Sequence, residues 1–257
     1  AIPMANRTCI GTTDTQVDDP VTEVTDEDRE FVLSNINARL DLPTPLSQDD
    51  IIAERCGVRP LATQKTSEAS VEVQRMSRKH VIEMKAEHNH ISVFGGKLTD
   101  CLNVGNEICD CVSRLGLTLK QTGKWYGEPD RSVRDSFFKR ASDLGLDEIV
   151  ATDTGEGLST RLWRRYGANA NTMLDAIEQD HSLCDPLIEN AGIRRCEIKY
   201  LVEHEMIVKL EDYLRRRSKI ELLVSRDALR QSAGLFEACE KLFGNQARQR
   251  FDEYFSE

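Results

Sequence analysis

Ile91-Ser92-Val93-Phe94-Gly95-Gly96-Lys97-Leu98-Thr99 joins four residues of strand character to two adjacent glycines, a lysine and a threonine placed to cap a helix. The apolar positions Cys101, Leu102, Val104, Ile108 and Val112 follow at helical spacing. The stretch predicts strand, turn and helix, and the turn carries no bulk, so another molecule can approach its backbone closely. A helix start presents free N–H groups and partial positive charge. With Lys97 beside them, these groups form a seat for negative charge or for a cofactor edge. A tight turn capped by Thr99 is the plainer reading, and the stretch alone leaves both open.

Upstream, β-branched residues with Gly57 and Pro60 predict a strand over residues 50–61. A polar loop covers 63–70, a strand runs through Met76 to Glu83, and a charged turn at His88, Asn89 and His90 leads back to Ile91. Short turns between these strands predict part of a mixed or antiparallel sheet. Earlier still, Arg7-Thr8-Cys9-Ile10 opens a short strand over 7–15 that ends in the turn Gly11-Thr12-Thr13-Asp14-Thr15. Thr25-Asp26-Glu27-Asp28 starts an amphipathic helix that runs to about Arg39, where Pro43 and Pro45 end it.

Downstream, Gly116, Gly123, Gly127 and Pro129 loosen the pattern, which sets a domain boundary near residue 118. Beyond it every periodic segment is helical: 133–144, 159–166, 171–179, a long run over about 197–217, and 228–251. The expected architecture is α+β. A partial mixed sheet with its helices occupies 1–118, and an all-α domain occupies 119–257.

The chain of 257 residues has 39% apolar and 30% charged content, as a globular chain with a sizeable core has. A net charge of −10 argues against a general nucleic-acid binder. No apolar run approaches the ~20 residues of a membrane span. Ala1-Ile2-Pro3-Met4-Ala5 has neither a basic region nor a signal-type core, and it reads as a chain entered in the middle. The eight cysteines form no Cys-x-x-Cys pair and lie at no zinc-ligand spacing from a histidine. They are expected to be reduced thiols of a cytosolic protein, mostly buried, and no metal is expected.

Cations concentrate between residues 55 and 97: Arg55, Arg59, Arg75, Arg78, Lys79, His80 and Lys97. A solvated face accounts for most such runs. Arg59 stands apart, between Val58 and Pro60 in an apolar stretch, where a guanidinium is either half-buried with a partner or aimed into a cleft. Its planar fork suits a phosphate or carboxylate. Thr154-Gly155-Glu156-Gly157-Leu158-Ser159-Thr160 resembles half of a phosphate loop, but it has no preceding strand, and Ser159 serves better as a helix cap. His181 and His204 read as packing or surface residues, and His88 and His90 have no third ligand nearby.

Taken in order, Ile10-Gly11-Thr12-Thr13-Asp14-Thr15, Gly57-Val58-Arg59-Pro60-Leu61, Ser77-Arg78-Lys79-His80 and Phe94-Gly95-Gly96-Lys97-Leu98-Thr99 resemble a known family. It is the C-terminal half of FAD-dependent glycerol-3-phosphate dehydrogenases and the related α-glycerophosphate oxidases. Arg164-Arg165-Tyr166-Gly167, Glu197-Ile198-Lys199-Tyr200-Leu201-Val202-Glu203-His204-Glu205 and Leu214-Arg215-Arg216-Arg217 fit the same pattern. The resemblance covers essentially the whole chain. Asp100-Cys101-Leu102 departs from the Thr-Tyr-Arg that commonly follows the lysine motif, and the family's N-terminal half, with its glycine fingerprint and proposed base, is absent from this sequence.

The resemblance implies FAD as cofactor and oxidation of sn-glycerol 3-phosphate to dihydroxyacetone phosphate, with hydride passing to the flavin. It assigns Arg59 and Arg78 to the substrate phosphate and Gly95, Gly96, Lys97, Leu98 and Thr99 to the flavin edge. Lys97 serves substrate or flavin, and with Arg59 it is the catalytic candidate. Electrons leave for a quinone or, in the oxidases, for oxygen. By the same analogy the protein is cytoplasmic, in peripheral contact with the membrane, and a homodimer. A fragment that binds a phosphate metabolite or a partner without turnover is the alternative from another class.

Overall fold

The computed structural model describes residues 1–58, 80–120, 129–149 and 155–256. The chain divides into two compact units. One comprises Ala1–Thr13, Thr25–Glu54 and Tyr126–Glu257; the other comprises Asp14–Val24 and Arg55–Trp125. The first unit thus takes in N-terminal segments that a linear division at residue 118 does not group with the helices.

In the larger unit, β1 (Ile2–Met4) pairs antiparallel with β2 (Arg7–Cys9), joined through Ala5 at a positive φ of 52°. Met4 packs against the helical core, and the Arg7 guanidinium donates to the Leu223 carbonyl. Helix α1 (Asp26–Arg39) begins where the sequence places it, at a capping box. The Thr25 hydroxyl accepts from the Asp28 N–H, and the Asp28 carboxylate accepts from the Thr25 N–H. Arg29 forks onto Glu54 at 2.6 and 2.8 Å, which fastens α1 to the segment after Gln48–Asp50.

The helical half supplies α3 (Arg131–Asp143), α4 (Leu158–Tyr166), α5 (Ala170–Gln179), α6 (Arg195–His204), α7 (Arg226–Gln231), α8 (Ala233–Phe243) and α9 (Ala247–Ser256). Its interior consists of two apolar clusters. Phe137, Leu162 and Leu174 from α3, α4 and α5 are fully buried in one; Leu229, Leu235 and Cys239 from α7 and α8 are fully buried in the other. Burying each large side chain stabilises the fold by about 1.5–3 kcal/mol relative to leaving it in water. Helix α6 serves both, with Cys196 in the first cluster and Ile198 and Leu201 in the second.

The smaller unit carries the hairpin β3 (Val81–Lys85) and β4 (His90–Phe94), in register from Val81 opposite Phe94 to Lys85 opposite His90. Asn89, in the left-handed region at φ 48°, closes its turn. Helix α2 (Cys101–Arg114) follows after a 3₁₀ turn over Leu98–Asp100.

Four expectations need correction. Among the described residues there is no mixed sheet, only two separate two-stranded antiparallel ones, so the protein is mainly helical. The strand expected from residue 50 is absent over residues 51–58, which run without a ladder partner; residues 59–61 lie outside the described residues. The run 197–217 is not one helix: it breaks after His204, Met206 adopts a φ of 50°, and a π-helical turn forms at Asp212–Arg217. Ser159 is not a cap: it lies inside α4 and donates to Asp147 Oδ1 at 2.5 Å.

Candidate functional site

The site begins where β4 leaves its partner. Phe94 is the last paired residue, and Gly95 and Gly96 then turn the chain at φ 64° and 93°, values that L-residues with a Cβ rarely adopt. Lys97 precedes the 3₁₀ turn, which is closed by the Asp100 N–H donating to the Lys97 carbonyl at 2.9 Å. Thr99 lies inside this turn and makes no cap; α2 starts after Asp100, whose side chain accepts from Asn103 Nδ2 at 2.6 Å. The first-turn N–H groups therefore have no side-chain acceptor supplied by a cap.

Gly95, Gly96, Lys97, Leu98 and Thr99 thus come together in one exposed turn, with Leu98 90% exposed. The Lys97 ammonium makes no ion pair among the described residues. Arg59 and Arg78, the expected phosphate ligands, lie outside the described residues. The space beside Gly96 is not open: a Cβ there would stand 3.0 Å from the Cβ of His80. The missing side chain at this glycine lets β3's lead-in residue pack on the turn. The face left for another molecule is that of Lys97, Leu98 and Thr99.

His80 is the residue that sequence reasoning passed over at this site. Its Nε2 lies 3.0 Å from Glu107 Oε2 and its Nδ1 3.4 Å from Asp100 Oδ2, with the side chain 11% exposed. Its place in Arg78-Lys79-His80 disguised it as one more solvated cation.

A second polar cluster lies in the helical half. Glu197, wholly buried on α6, accepts from Arg161 Nη2 at 2.6 Å, from Tyr166 Oη at 2.8 Å, from Arg165 Nη1 at 3.4 Å and from the Arg194 N–H at 2.7 Å. Arg161 also donates to the Gly192 carbonyl. Burial, then the neighbouring Glu197 carboxylate, holds the Tyr166 and Tyr213 phenols and the Cys196 thiol well above their ordinary ranges, so all three stay protonated. The cluster sits on the helix that serves both apolar cores, so its role is to hold the helical half together. The sequence signal for it was a glutamate between Cys196 and Ile198.

One groove of about 370 Å³ runs between α5, α6 and α8 over Leu183, Leu187 and Ile198. Lys199, Lys241 and Glu203 line it, and Arg195 pairs with Glu237 there. No group of three or more His, Cys, Asp or Glu side chains among the described residues is placed to hold a metal ion. No helix among them is long and apolar enough to cross a membrane. All eight thiols are free, four of them buried and three exposed.

Residues 129–250 match the C-terminal domain of alpha-glycerophosphate oxidase. The chain is 29% identical over 240 residues to the glycerol-3-phosphate dehydrogenase of Pseudomonas aeruginosa, which covers 88% of this chain and 43% of that protein. The chain is thus similar to the C-terminal region of the glycerol-3-phosphate dehydrogenases and α-glycerophosphate oxidases. Glycerol-3-phosphate dehydrogenase 2 of Mycobacterium tuberculosis is 28% identical over 234 residues, covering 86% of this chain and 37% of that protein. The aerobic glycerol-3-phosphate dehydrogenase of Staphylococcus aureus is 29% identical over 239 residues, covering 85% and 39%. The chain therefore spans about two fifths of the length of these dehydrogenases. With 85–88% of the chain covered, the likeness extends beyond the helical half and takes in the greater part of the residues before it.

Proposed function

We propose that this chain is the C-terminal part of an FAD-dependent dehydrogenase that oxidises sn-glycerol 3-phosphate to dihydroxyacetone phosphate. The observation that carries the reading is the exposed Gly95–Gly96–Lys97 turn: an ammonium with no ion pair among the described residues, beside first-turn N–H groups, in a chain similar over most of its length to glycerol-3-phosphate dehydrogenases. The donor set fits a flavin edge, because the exposed face of the turn offers the Lys97 ammonium and the first-turn N–H groups to negative charge.

FAD, when bound, supplies the two-electron acceptor. Lys97 and the N–H groups of Leu98 and Thr99 would stabilise negative charge gathered at the cofactor edge, in the manner of a preorganised oxyanion site. Arg59 and Arg78 would hold the substrate phosphate through forked, charge-assisted hydrogen bonds and so orient the C2 hydroxyl. The base that takes the hydroxyl proton belongs to the part of the enzyme outside this sequence. A quinone as electron acceptor, peripheral membrane contact, a homodimer and a cytoplasmic location complete the proposal.

The test is Arg59→Ala in the complete flavin-containing protein. Loss of a charge-assisted phosphate contact raises KM for sn-glycerol 3-phosphate by about one to two orders of magnitude while the flavin stays bound. Unchanged kinetics would remove Arg59 from the site. The match of residues 129–250 to an oxidase domain gives a second reading, oxygen as acceptor; hydrogen peroxide formed in step with turnover would establish it.

A further inference from the structure

We infer that His80 is the positioning residue of the Gly95–Lys97 turn, the side chain that fixes how Lys97 and the first-turn N–H groups are presented. The inference rests on the flavin-edge reading for its consequence in catalysis, but its structural part stands on three contacts of its own.

First, the His80 Cβ occupies the space beside Gly96, 3.0 Å from where a Cβ would stand, so that the turn is packed on the entry to β3. Second, Nε2 reaches Glu107 at 3.0 Å, in the second turn of α2. Third, Nδ1, which is buried and makes no aligned hydrogen bond, lies 3.4 Å from the carboxylate of Asp100 at the junction of the 3₁₀ turn and α2. One residue therefore joins strand lead-in, glycine turn and helix start, meeting the glycine turn through its Cβ and the helix start through its ring. Beyond the Asn103–Asp100 contact at the start of α2, no other side-chain hydrogen bond or ion pair among the described residues links these pieces. His80 acts through Lys97 and the turn, not on the reacting atoms.

The experiment compares His80→Ala, His80→Gln and His80→Leu in the full 257-residue chain, reading amide hydrogen exchange at Asp100 and Cys101. Their N–H groups close the turn onto the carbonyls of Lys97 and Leu98. His80→Ala is expected to speed exchange at both by about tenfold or more, with the helical half unchanged. His80→Gln keeps a side-chain N–H for Glu107 and should return exchange to within about twofold of the unmutated chain. His80→Leu fills the same space without a donor and should not. Rescue by Leu as complete as by Gln, or no change in His80→Ala, would overturn the inference.

In the complete flavin-containing protein, His80→Ala is expected to lower kcat by about tenfold or more with KM for sn-glycerol 3-phosphate within about threefold. Faster exchange with unchanged kcat would keep the His80 clamp and overturn the flavin-edge reading of the turn, so the two failures are distinguishable.

Discussion

Glu197→Gln is the substitution whose cost follows most directly from the structure. The carboxylate is wholly buried and faces Arg161 at 2.6 Å, whose side chain is 8% exposed. Glutamine keeps the shape and one acceptor, which suffices for the Arg194 N–H. It removes the charge that compensates Arg161 and turns an NH₂ group toward donors on Arg165 and Tyr166. Leaving one partner of a buried pair without the other costs about 3–5 kcal/mol, because the remaining charge is desolvated and unpaired. Arg165 is a control within the same cluster: it is 29% exposed and 3.4 Å away, so water takes over when its contact is lost, and Arg165→Ala should cost about 1 kcal/mol or less. Urea denaturation followed by helical ellipticity reads the difference. For an m of about 2 kcal/mol per molar, Glu197→Gln should lower the midpoint by about 2 M and Arg165→Ala by about 0.5 M or less. Equal shifts for the two variants, or a Glu197→Gln shift under about 0.5 M, would refute the argument that this cluster carries an obligatory buried charge.

Gly234→Ala on α8 would place a methyl 1.6 Å from the Leu187 carbonyl oxygen, a backbone atom that cannot rotate away, so helix and loop must separate. A loss of about 1–3 kcal/mol is expected in thermal denaturation, and an unchanged Tm would contradict the close approach. Backbone N–H bonds at Thr25 and Lys209 hold the carboxyls of Asp28 and Asp212 below the ordinary value of 3.8, as the Ser182 hydroxyl and N–H do for Asp180. A depressed folded-state pKa gives stability that is complete above that value and is lost as pH falls through the lower, folded one. The helix starts at Thr25, Asp180 and Asp212 should therefore fray on acidification from pH 6 to about pH 2, and the triple Asp→Asn variant should show a smaller acid-dependent change in ellipticity. Burial pushes the Cys239 thiol up to about 12 and Cys196 higher still, so at pH 8 iodoacetamide should label the exposed Cys56, Cys101 and Cys109 and spare these two. Labelling of Cys239 at the rate of Cys101 would show that the second core opens.

The sequence was readable where a local chemical signal marks an element's end. Thr25 and Asp28 announce α1 because both halves of its capping box lie within four residues. Gly145 and Gly167 stop α3 and α4 because each sits at a positive φ just past the helix. The run 197–217 misled because no glycine or proline interrupts it. Its break depends on Met206 in the left-handed region and on Asp212 accepting from Val208 and Lys209, a cap that periodicity cannot see. β1 escaped notice because three residues carry no alternation to read.

The site shows the same division. Gly95, Gly96 and Lys97 stand out because conformation and charge are properties of those residues themselves. His80 meets Glu107 27 residues on, and Glu197 meets Arg161 36 residues back, so their partners are set by packing and not by local pattern. Thr99 has the chemistry of a cap, but the intervening 3₁₀ turn moves the helix start to Cys101.

The central claim is that the glycine turn and Lys97 stabilise charge at a flavin edge. Stopped-flow measurement of flavin reduction by sn-glycerol 3-phosphate in the complete protein, unmutated and with Lys97→Met, tests it most directly. Removing one preorganised charge-stabilising donor is expected to slow reduction by about 10²–10³-fold with the flavin still bound. A Lys97→Met protein that retains its flavin and reduces it within about threefold of the unmutated rate would contradict the account.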